Sequence, residues 1–323
     1  MERETGTAGK VNDTKQSFST DPAVLLLWRY REEGAAPVKT NTDSGMRVVT
    51  LSAKRRLWDL RLREVWDYRD LILLFTKRTF LLTYKQTILG PIWLLLNPIL
   101  TSGVYTLVFG RVAGIGTAGV PMLLFYLCGT AVWNYFSVCV TVNAQTFLAN
   151  AALFGKVYFP RLTVPISAVL AGAIRFLIQM GLTAAFLVYY CAVGQMRFRP
   201  LALLVLPLTI LQLGVMGMSV GILVSSLTTR YRDLSVLVSF GMNLWMFGTP
   251  IVYPFSQLPE GALRIASMLN PVTPPAELFR IALLGAGDFM PGPYLWSWVF
   301  TLLVAVVGVV VFNKVEQTFQ DTV

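Results

Sequence analysis

Apolar and polar residues are segregated along the chain into long blocks. Asp, Glu, Lys and Arg are absent from 86–110, 112–155, 200–229, 234–259 and 289–313. Each block reaches or exceeds the roughly 20 residues that a helix needs to cross the hydrocarbon core of a membrane. The run 162–192 is likewise uncharged apart from Arg175. We therefore predict an all-α integral membrane protein with six transmembrane helices, at about 91–109, 122–142, 162–192, 201–227, 234–252 and 294–312.

Two segments of different composition precede the first span. Residues 1–50 are polar and interrupted by Gly, Pro and Thr, a composition typical of a disordered tail. Residues 51–89 interleave Trp, Leu and Phe with Arg and Lys at roughly helical spacing. This predicts an amphipathic helix in the membrane interface with its basic groups towards the head groups, although packing against protein would produce the same spacing. Residues 90–323 would form the six-span domain.

The connection between the fifth and sixth spans, 253–293, contains seven prolines. Its apolar pieces are too short to cross a membrane. Non-helical backbone is tolerated at membrane depth only where protein or water satisfies its polar groups. We therefore expect short re-entrant or interfacial helices that line a passage on the outer side.

The chain has a net charge of +10, and the placement of Lys and Arg predicts its orientation. Fourteen lie near the membrane on the side of the segment before the first span. Five lie on the other side, namely Arg111, Arg197, Arg199, Arg264 and Arg280. Because cytoplasmic loops carry the excess of Lys and Arg, both termini are predicted to be cytoplasmic, and we expect no nucleic-acid partner. The assignment depends on that first segment, because the other loops carry five on each side.

The composition excludes several kinds of chemistry. The chain has no His, and Cys128, Cys139 and Cys191 show no paired ligand spacing, so we expect neither His-based catalysis nor a metal site. The predicted spans contain no Asp or Glu to bind a driving ion. The phosphate-binding pattern G-x-x-x-x-G-K followed by Ser or Thr does not occur. Uphill transport would therefore take its energy from another polypeptide.

Two cytoplasmic loops are candidates for receiving that energy. The first, 147–161, has an apolar short-helix pattern that ends at Pro160, and the second surrounds Arg232 and Asp233. A groove on a partner would accept such an apolar helix, although loops at a membrane edge have a similar composition. The residues assigned to this contact are Phe147, Leu153, Phe154, Lys156, Tyr158, Phe159, Arg161, Arg232 and Asp233.

Arg175 is the one charged residue well inside a predicted span. Its side chain could snorkel to the interface or bond backbone carbonyl groups. It could also contact an anionic substrate or a partner subunit. The pattern leaves both interpretations open.

Five short runs occur in an order that resembles a known family. They are Leu82–Pro98, Leu153–Arg161, Tyr231–Leu234, Thr249–Pro254, and Leu269–Pro271 followed by Arg280. Together they resemble the permease subunit of ABC polysaccharide exporters, the group that carries O-antigen, capsule and teichoic acid chains. The resemblance covers about 57–323. It leaves residues 1–50 and Arg175 without an assigned role.

The resemblance implies a homodimer of six-span subunits in a bacterial inner membrane, bound to two copies of a separate ATPase that holds ATP and Mg. This chain would be a transporter subunit, not an enzyme, and would bind no cofactor. The loop 147–161 would be the coupling helix, Arg232 and Asp233 a second contact, and 253–293 the outer gate. The interfacial helix would flank the entrance for a glycan linked to undecaprenyl diphosphate.

Such a substrate offers a diphosphate and a hydroxyl-rich chain for recognition. Basic side chains at the cytoplasmic interface suit the diphosphate, and the candidates are Lys77, Arg78 and Lys85. Sugars stack their C–H faces on aromatic rings, and the candidates for the channel lining are Trp93, Tyr105, Phe109, Trp245, Phe247 and Tyr253. Aromatic residues are also enriched at membrane interfaces for structural reasons, so each ring has an alternative place in a belt or core.

Two other functions fit parts of the pattern. An ABC permease for a small drug, a polyketide or a lipid would share the spans and the cytoplasmic loops but would depend less on an aromatic lining. A membrane acyl- or glycosyltransferase would need a catalytic constellation, and its nearest candidates are Glu260, Glu277 and Asp288. These lie in the outer connection without His or an acidic pair, which disfavours an enzyme.

Overall fold

The computed structural model describes residues 62–84, 90–154, 159–197, 199–228 and 233–322, and the regular elements of these residues are all helices. In chain order they are α1 (Leu62–Asp67), α2 (Arg69–Tyr84), α3 (Trp93–Tyr105), α4 (Met122–Ala144), α5 (Thr146–Ala149), α6 (Ala151–Phe154), α7 (Thr163–Ala192), α8 (Leu201–Thr228), α9 (Leu234–Phe247), α10 (Ala262–Leu269), α11 (Thr273–Leu284) and α12 (Pro291–Thr322). They belong to one compact unit, Arg55–Val323. The disordered tail predicted for 1–50 lies outside the described residues.

Five helical stretches are long and apolar enough to cross a membrane. They are Gly90–Val112, Met122–Ala144, Thr163–Ala192, Leu201–Thr228 and Pro291–Lys314. The first combines a 3₁₀ turn, Gly90–Ile92, with α3 and a π-helical continuation, Thr106–Val112. The predicted class of helical membrane protein is confirmed, and the predicted spans 162–192 and 201–227 each differ from their helix by one residue.

The predicted fifth span, 234–252, is a shorter helix in the structure. Helix α9 has 14 residues and ends at Phe247. Its rise is about 21 Å, less than the roughly 30 Å of a hydrocarbon core. The apolar run continues, but Pro250 has no N–H for the carbonyl group of Met246, and its ring would collide with that group in a helix. Turns therefore replace the last part of the predicted span.

Helix α4 forms the core of the unit. In the most apolar part of α4, 78% of the residues are buried, whereas in the most apolar part of the first span only 11% are buried. Helix α8 crosses it closely, because a Cβ atom at Gly217 would lie 2.6 Å from Cys139 Cβ, and one at Gly221 would lie 2.6 Å from the Val140 carbonyl oxygen. Small residues let membrane helices approach each other, so these two glycines permit the α4–α8 contact.

The connection 253–293 contains short helices, as its prolines predict. Helix α10 is mostly exposed and buries only Ser267, whereas most of α11 is buried. Pro274 and Pro275 occupy the first turn of α11, where proline is tolerated because the first N–H groups of a helix have no partner within it. Gly285, with a φ of 74°, ends α11 in the left-handed region. The two helices therefore differ sharply in burial.

Helix α2, from the predicted interfacial segment, packs on α7. Ile72 and Thr76 are buried, and Thr76 Oγ1 donates a hydrogen bond to the Ile72 carbonyl oxygen at 2.8 Å. The outward face combines exposed Leu74 with exposed Lys77 and Arg78. One face thus packs against protein, and the other combines apolar and basic side chains as an interfacial helix does.

Candidate functional site

A row of phenylalanine side chains anchors the predicted coupling loop. We call it the phenylalanine row, and its members in spatial order are Phe312, Phe147, Phe154, Phe159 and Phe75. The centroids of successive rings lie 5.1, 6.2, 5.8 and 5.7 Å apart, within the roughly 4.5–7 Å of favourable aromatic pairs. The row connects α12, the loop and α2 through ring contacts.

The loop members of this row are buried in the chain's own unit. Leu153 packs against the same cluster, and the Arg161 guanidinium lies 5.4 Å from the centroid of the Phe154 ring. These side chains hold the loop in place, so a partner would meet its exposed residues, such as Leu148 and Ala149. A contact between the loop and an ATPase stays a prediction.

The remaining residues predicted for coupling and for the entrance fall into two groups. Asp233 is exposed directly before α9, and Lys77 and Arg78 are exposed on α2. These three side chains are accessible to molecules outside the chain. The others lie outside the described residues, namely Lys85, Lys156, Tyr158 and Arg232.

The six predicted lining residues divide by exposure. Trp93 is 43% exposed and Phe247 is 51% exposed, on the first span and α9 respectively. Tyr105 instead packs its ring against Phe109 and Tyr126, with centroids 5.6 and 6.1 Å apart. Two of the predicted rings are therefore open to the surroundings, whereas Tyr105 and Phe109 belong to an aromatic cluster within the chain.

The other two predicted lining residues are held near the end of α9. Trp245 packs against Phe136 and Trp133, with ring centroids 5.3 and 6.4 Å apart. The Tyr253 hydroxyl donates a hydrogen bond to the Phe247 carbonyl oxygen at 3.0 Å. Both rings therefore have fixed orientations. The exposed ring of Phe247 lies in the same turn region.

Asn270, between α10 and α11, joins this region to the outer connection. Its Nδ2 donates to the Gly248 carbonyl oxygen at 3.2 Å and to Thr249 Oγ1 at 2.8 Å. Its Oδ1 accepts from Trp245 Nε1 at 3.0 Å and from the Val272 N–H at 3.1 Å. Both donors and both acceptor positions of the amide are used, so Asn270 ties the end of α9 to the junction of the two short helices.

Arg280 on α11 also bonds to the turns that follow α9. It is 1% exposed, forms an ion pair with Glu277, and lies with its guanidinium 4.3 Å from the centroid of the Phe125 ring. Its Nη2 donates to the Pro250 carbonyl oxygen at 2.8 Å. Burial raises the pKa of Glu277, and the positive charge of Arg280 opposes that rise. The pair satisfies a backbone carbonyl group that the end of α9 leaves without a helical partner.

The buried position of Arg280 corrects its use as a loop charge in the prediction of orientation. The sequence counts it among the charged loop residues of the outer side, but the structure buries it against Glu277 and Phe125. It therefore carries no information about orientation through the charge rule, which concerns loop residues near the membrane surface. The spacing Glu-x-x-Arg in an apolar, proline-rich run was the available signal for this pair, because residues three apart share a helix face.

A polar network inside the spans was not predicted. Gln212 Nε2 on α8 donates to Ser297 Oγ on α12 at 2.8 Å, and Ser297 Oγ donates to the Pro271 carbonyl oxygen at 2.6 Å. Polar residues within apolar spans are the signal that could have identified it. Arg175 is half-buried on α7, and its role stays open.

The carboxylates considered for an enzyme are dispersed. Glu277 is engaged by Arg280, whereas Glu260 is an exposed residue 3.9 Å from Arg264. Among the described residues no three His, Cys, Asp or Glu side chains converge in a way that could hold a metal ion. The arrangement of Glu277 therefore serves packing between α11 and the turns after α9.

The sequence has recognisable relatives. The family of ABC-2 type transporters matches residues 70–284. An O-antigen export system permease protein RfbA of Klebsiella pneumoniae is 28% identical over 258 residues, which are 78% of this chain and 94% of the relative. Another of the same name, from Myxococcus xanthus, is 30% identical over 211 residues, which are 65% of this chain and 78% of the relative. The region matched by the family includes all of α2 except Arg69, and both short helices of the outer connection. It also includes four members of the phenylalanine row, namely Phe75, Phe147, Phe154 and Phe159.

Proposed function

The chain belongs to the ABC-2 type transporter family, and from this premise we propose that it is the membrane subunit of an ATP-driven exporter of a polysaccharide. The observation that carries the proposal is the similarity to O-antigen export permeases over 94% of the length of such a relative. The absence of a phosphate-binding loop motif from the sequence supports a separate ATPase subunit. The alternative of a drug or lipid permease is not favoured by these relatives.

We place the protein in a bacterial inner membrane with both termini in the cytoplasm and six crossings. Helix α9 with the turns that follow it would make the fifth crossing. The bonds from Asn270 to Gly248 and from Arg280 to Pro250 support this, because they satisfy carbonyl groups of non-helical backbone. Non-helical backbone at membrane depth requires such internal partners. The outer connection would then form the gate on the outer side.

The functional unit is a homodimer in which the polysaccharide passes between two copies. The first span and α9 support this, because both leave long apolar faces uncovered within one subunit. The exposed residues include Leu100 and Val104 on the first span, and Leu237 and Phe240 on α9. The two exposed aromatic residues of the predicted lining also lie on these two elements. Tyr105, Phe109, Trp245 and Tyr253 would act mainly by supporting the wall.

Two copies of the ATPase, holding ATP and Mg, would bind the cytoplasmic face. The loop 147–161 would receive their movement through its exposed residues, with the segment at Asp233 as a second contact. The phenylalanine row supports this, since it joins the loop to α2 and α12 by direct ring contacts. A displacement of the loop would thus reach both elements.

The substrate would be a glycan carried on undecaprenyl diphosphate, entering beside α2. Lys77 and Arg78 are exposed on the outward face of that helix next to exposed leucines. Such a face suits a lipid surface that presents phosphate groups. The two cations would hold the diphosphate while the lipid tail stays in the membrane.

The test is export in vesicles. The chain is purified with its ATPase subunit, reconstituted, and supplied with undecaprenyl diphosphate-linked glycan on the ATPase side. We expect ATP-dependent appearance of glycan on the opposite side, and none with an ATPase variant that cannot hydrolyse ATP. Equal export by the chain without ATP or ATPase would contradict the proposal. A gene deletion that leaves surface polysaccharide unchanged would contradict the choice of substrate.

A further inference from the structure

Three helices that are in contact each expose an asparagine side chain. Asn97 on the first span, Asn134 on α4 and Asn243 on α9 are exposed. Their side-chain amides have no hydrogen-bond partner among the described residues. Helix α4 contacts both the first span and α9. An unpaired amide is costly in hydrocarbon, because nothing there replaces its bonds to water. The exposed amides therefore indicate polar surroundings at these positions.

The three asparagines lie at a similar depth. Counted from the cytoplasmic end of its helix in the predicted topology, Asn97 lies about 11 Å deep, Asn243 about 14 Å and Asn134 about 15 Å, at a rise of about 1.5 Å per residue. The hydrocarbon core of a membrane is roughly 30 Å thick. The three amides therefore occupy one layer in the cytoplasmic half of the membrane.

Helix α4 is open only at this layer and below it. Between Leu124 and Ala144, the residues that are not buried are Asn134, Ser137, Val138, Thr141 and Val142. The three polar ones, Asn134, Ser137 and Thr141, recur at spacings of three and four and therefore share one face of the helix. The core helix is thus covered in its outer half and presents a polar strip in its cytoplasmic half.

The outer surfaces of α8 and α12 differ from this layer. Every exposed residue of α8 is apolar, and the exposed residues of α12 as far as Asn313 are apolar or Gly. Such surfaces suit lipid. The layer of amides is polar but carries no charge, since Asp, Glu, Lys and Arg are absent from 86–110, 112–155 and 234–259. Its surroundings must therefore form hydrogen bonds without requiring an ion pair.

We propose that Asn97, Asn134 and Asn243 bind hydroxyl groups of the polymer in the cytoplasmic half of its passage, and this inference rests on the proposed function. We call these three residues the amide site. An amide both donates and accepts hydrogen bonds, as a sugar hydroxyl does, whereas a lipid chain does neither. Aromatic rings contact the C–H faces of sugars, so the amide site recognises a different part of the polymer. Uncharged groups would hold each repeating unit weakly and let it move on.

A second copy of the chain is the other polar surface available to the amides. Asn97 and Asn243 lie on the first span and α9, which are the elements proposed for the dimer. Asn134 lies on the core helix, which packs against both of them. A single extended polymer chain reaches such a helix more readily than a helix of a second copy, which is about 10 Å across with its side chains. The position of Asn134 therefore favours the polymer.

The surroundings of the amide site are tested with engineered cysteines and a charged methanethiosulfonate, which modifies thiols in contact with water. The chain is used with its ATPase subunit in lipid nanodiscs. Each residue of the site is replaced by Cys in turn, in a chain that carries Cys191→Ser, because the other two cysteines are buried. The matched control is Leu303→Cys on α12, which is 57% exposed and lies about 16 Å from Lys314. The three cysteines of the site should react, and the control should not.

Binding is tested with Asn134→Cys as the reporter. Oligosaccharides released by mild acid from the host's own surface polysaccharide should protect this cysteine from the reagent. Asn243→Leu removes an amide at similar volume, and it should raise the protecting concentration about three- to tenfold, the range of a single lost hydrogen bond. Leu244→Ile is the control on the same helix, exposed at 57%, and it should leave that concentration unchanged.

The outcomes separate the amide site from the proposed function. If the preparation exports glycan in vesicles but the oligosaccharides protect none of the cysteines, or if Asn243→Leu changes nothing, the amide site is wrong and the exporter stands. Disulfides between copies at Asn134→Cys would assign that face to a second copy, and reactivity as low as that of Leu303→Cys would assign it to lipid. If the preparation hydrolyses ATP but moves no glycan, the proposed function fails independently.

Discussion

The two ends of the described unit are held together by different interactions. At the outer connection, Asn270 and Arg280 bind backbone carbonyl groups of the turns after α9. At the predicted coupling loop, the phenylalanine row makes ring contacts between three elements. Hydrogen bonds to a carbonyl group depend steeply on distance and angle, whereas ring contacts have broad optima.

This difference suggests different mechanical roles. A region that receives movement from a partner must change its contacts without losing them, and ring packing allows this. A gate that must close the same way each time benefits from directional bonds. The loop end would therefore deform while the turns, α11 and the end of α9 move as one body. The following changes break or sharpen this comparison, from the largest expected effect to the smallest.

Replacing Arg280 should be the most damaging change. Arg280→Met leaves the buried Glu277 carboxyl group without its partner, and removal of one member of a buried pair costs about 3–5 kcal/mol. The free energy of unfolding, measured by SDS titration in mixed micelles, should fall by this amount. The double variant Glu277→Gln with Arg280→Met should recover part of it. If the single variant is as stable as the wild type, the buried pair of Arg280 and Glu277 does not stabilise the outer connection.

The phenylalanine row should tolerate a change of shape but not of volume. Phe147 is almost fully buried, so Phe147→Ala should cost about 3 kcal/mol through lost burial and a cavity. Phe147→Leu should cost less than about 1.5 kcal/mol and keep export. The same titration and the vesicle assay measure both. Equal loss in the two variants would mean that ring geometry, and not filled volume, holds the loop.

Substitutions of Asn270 test whether the stability of the outer connection depends on directional hydrogen bonds. Asn270→Ala loses the bonds to Gly248, Thr249 and Trp245, and should cost about 2 kcal/mol. Asn270→Asp has nearly the same shape but cannot donate, so it should recover little of this loss. The unfolding titration gives both values. If Asp restores wild-type stability, the donated bonds to the turn after α9 contribute nothing.

The exposed cations of α2 should affect substrate and leave folding unchanged. Lys77→Gln and Arg78→Gln should each raise the half-saturating concentration of lipid-linked glycan about fivefold, since a cation near an anionic surface contributes about 1 kcal/mol. The control is Arg197→Gln, an exposed cation on the opposite side of the predicted topology. Vesicle export at several substrate concentrations measures the change. An equal shift in the control would mean that export depends on the overall charge of the protein and not on a binding site at Lys77 and Arg78.

The sequence predicted much of the fold and less of the site. Apolar blocks and prolines predicted the spans and the short helices of the outer connection. They did not predict that α9 would stop at Phe247, because an apolar run has the same hydropathy before and after Pro250. The aromatic residues were identified as candidates for a lining, but Trp245 and Tyr105 proved to pack on other rings of the chain. Residue type indicates what a side chain can bind, not which of its possible partners is nearest.

The sequence by itself determined that this chain is a helical membrane protein, because long apolar runs follow from composition and local spacing. The tertiary structure decided which polar residues are paired. Glu277 and Arg280 are neighbours on one helix, but Asn270 meets Gly248 only because separate elements fold onto each other. Local pattern sets the helices, and contacts between residues distant in the chain set the chemistry of the site.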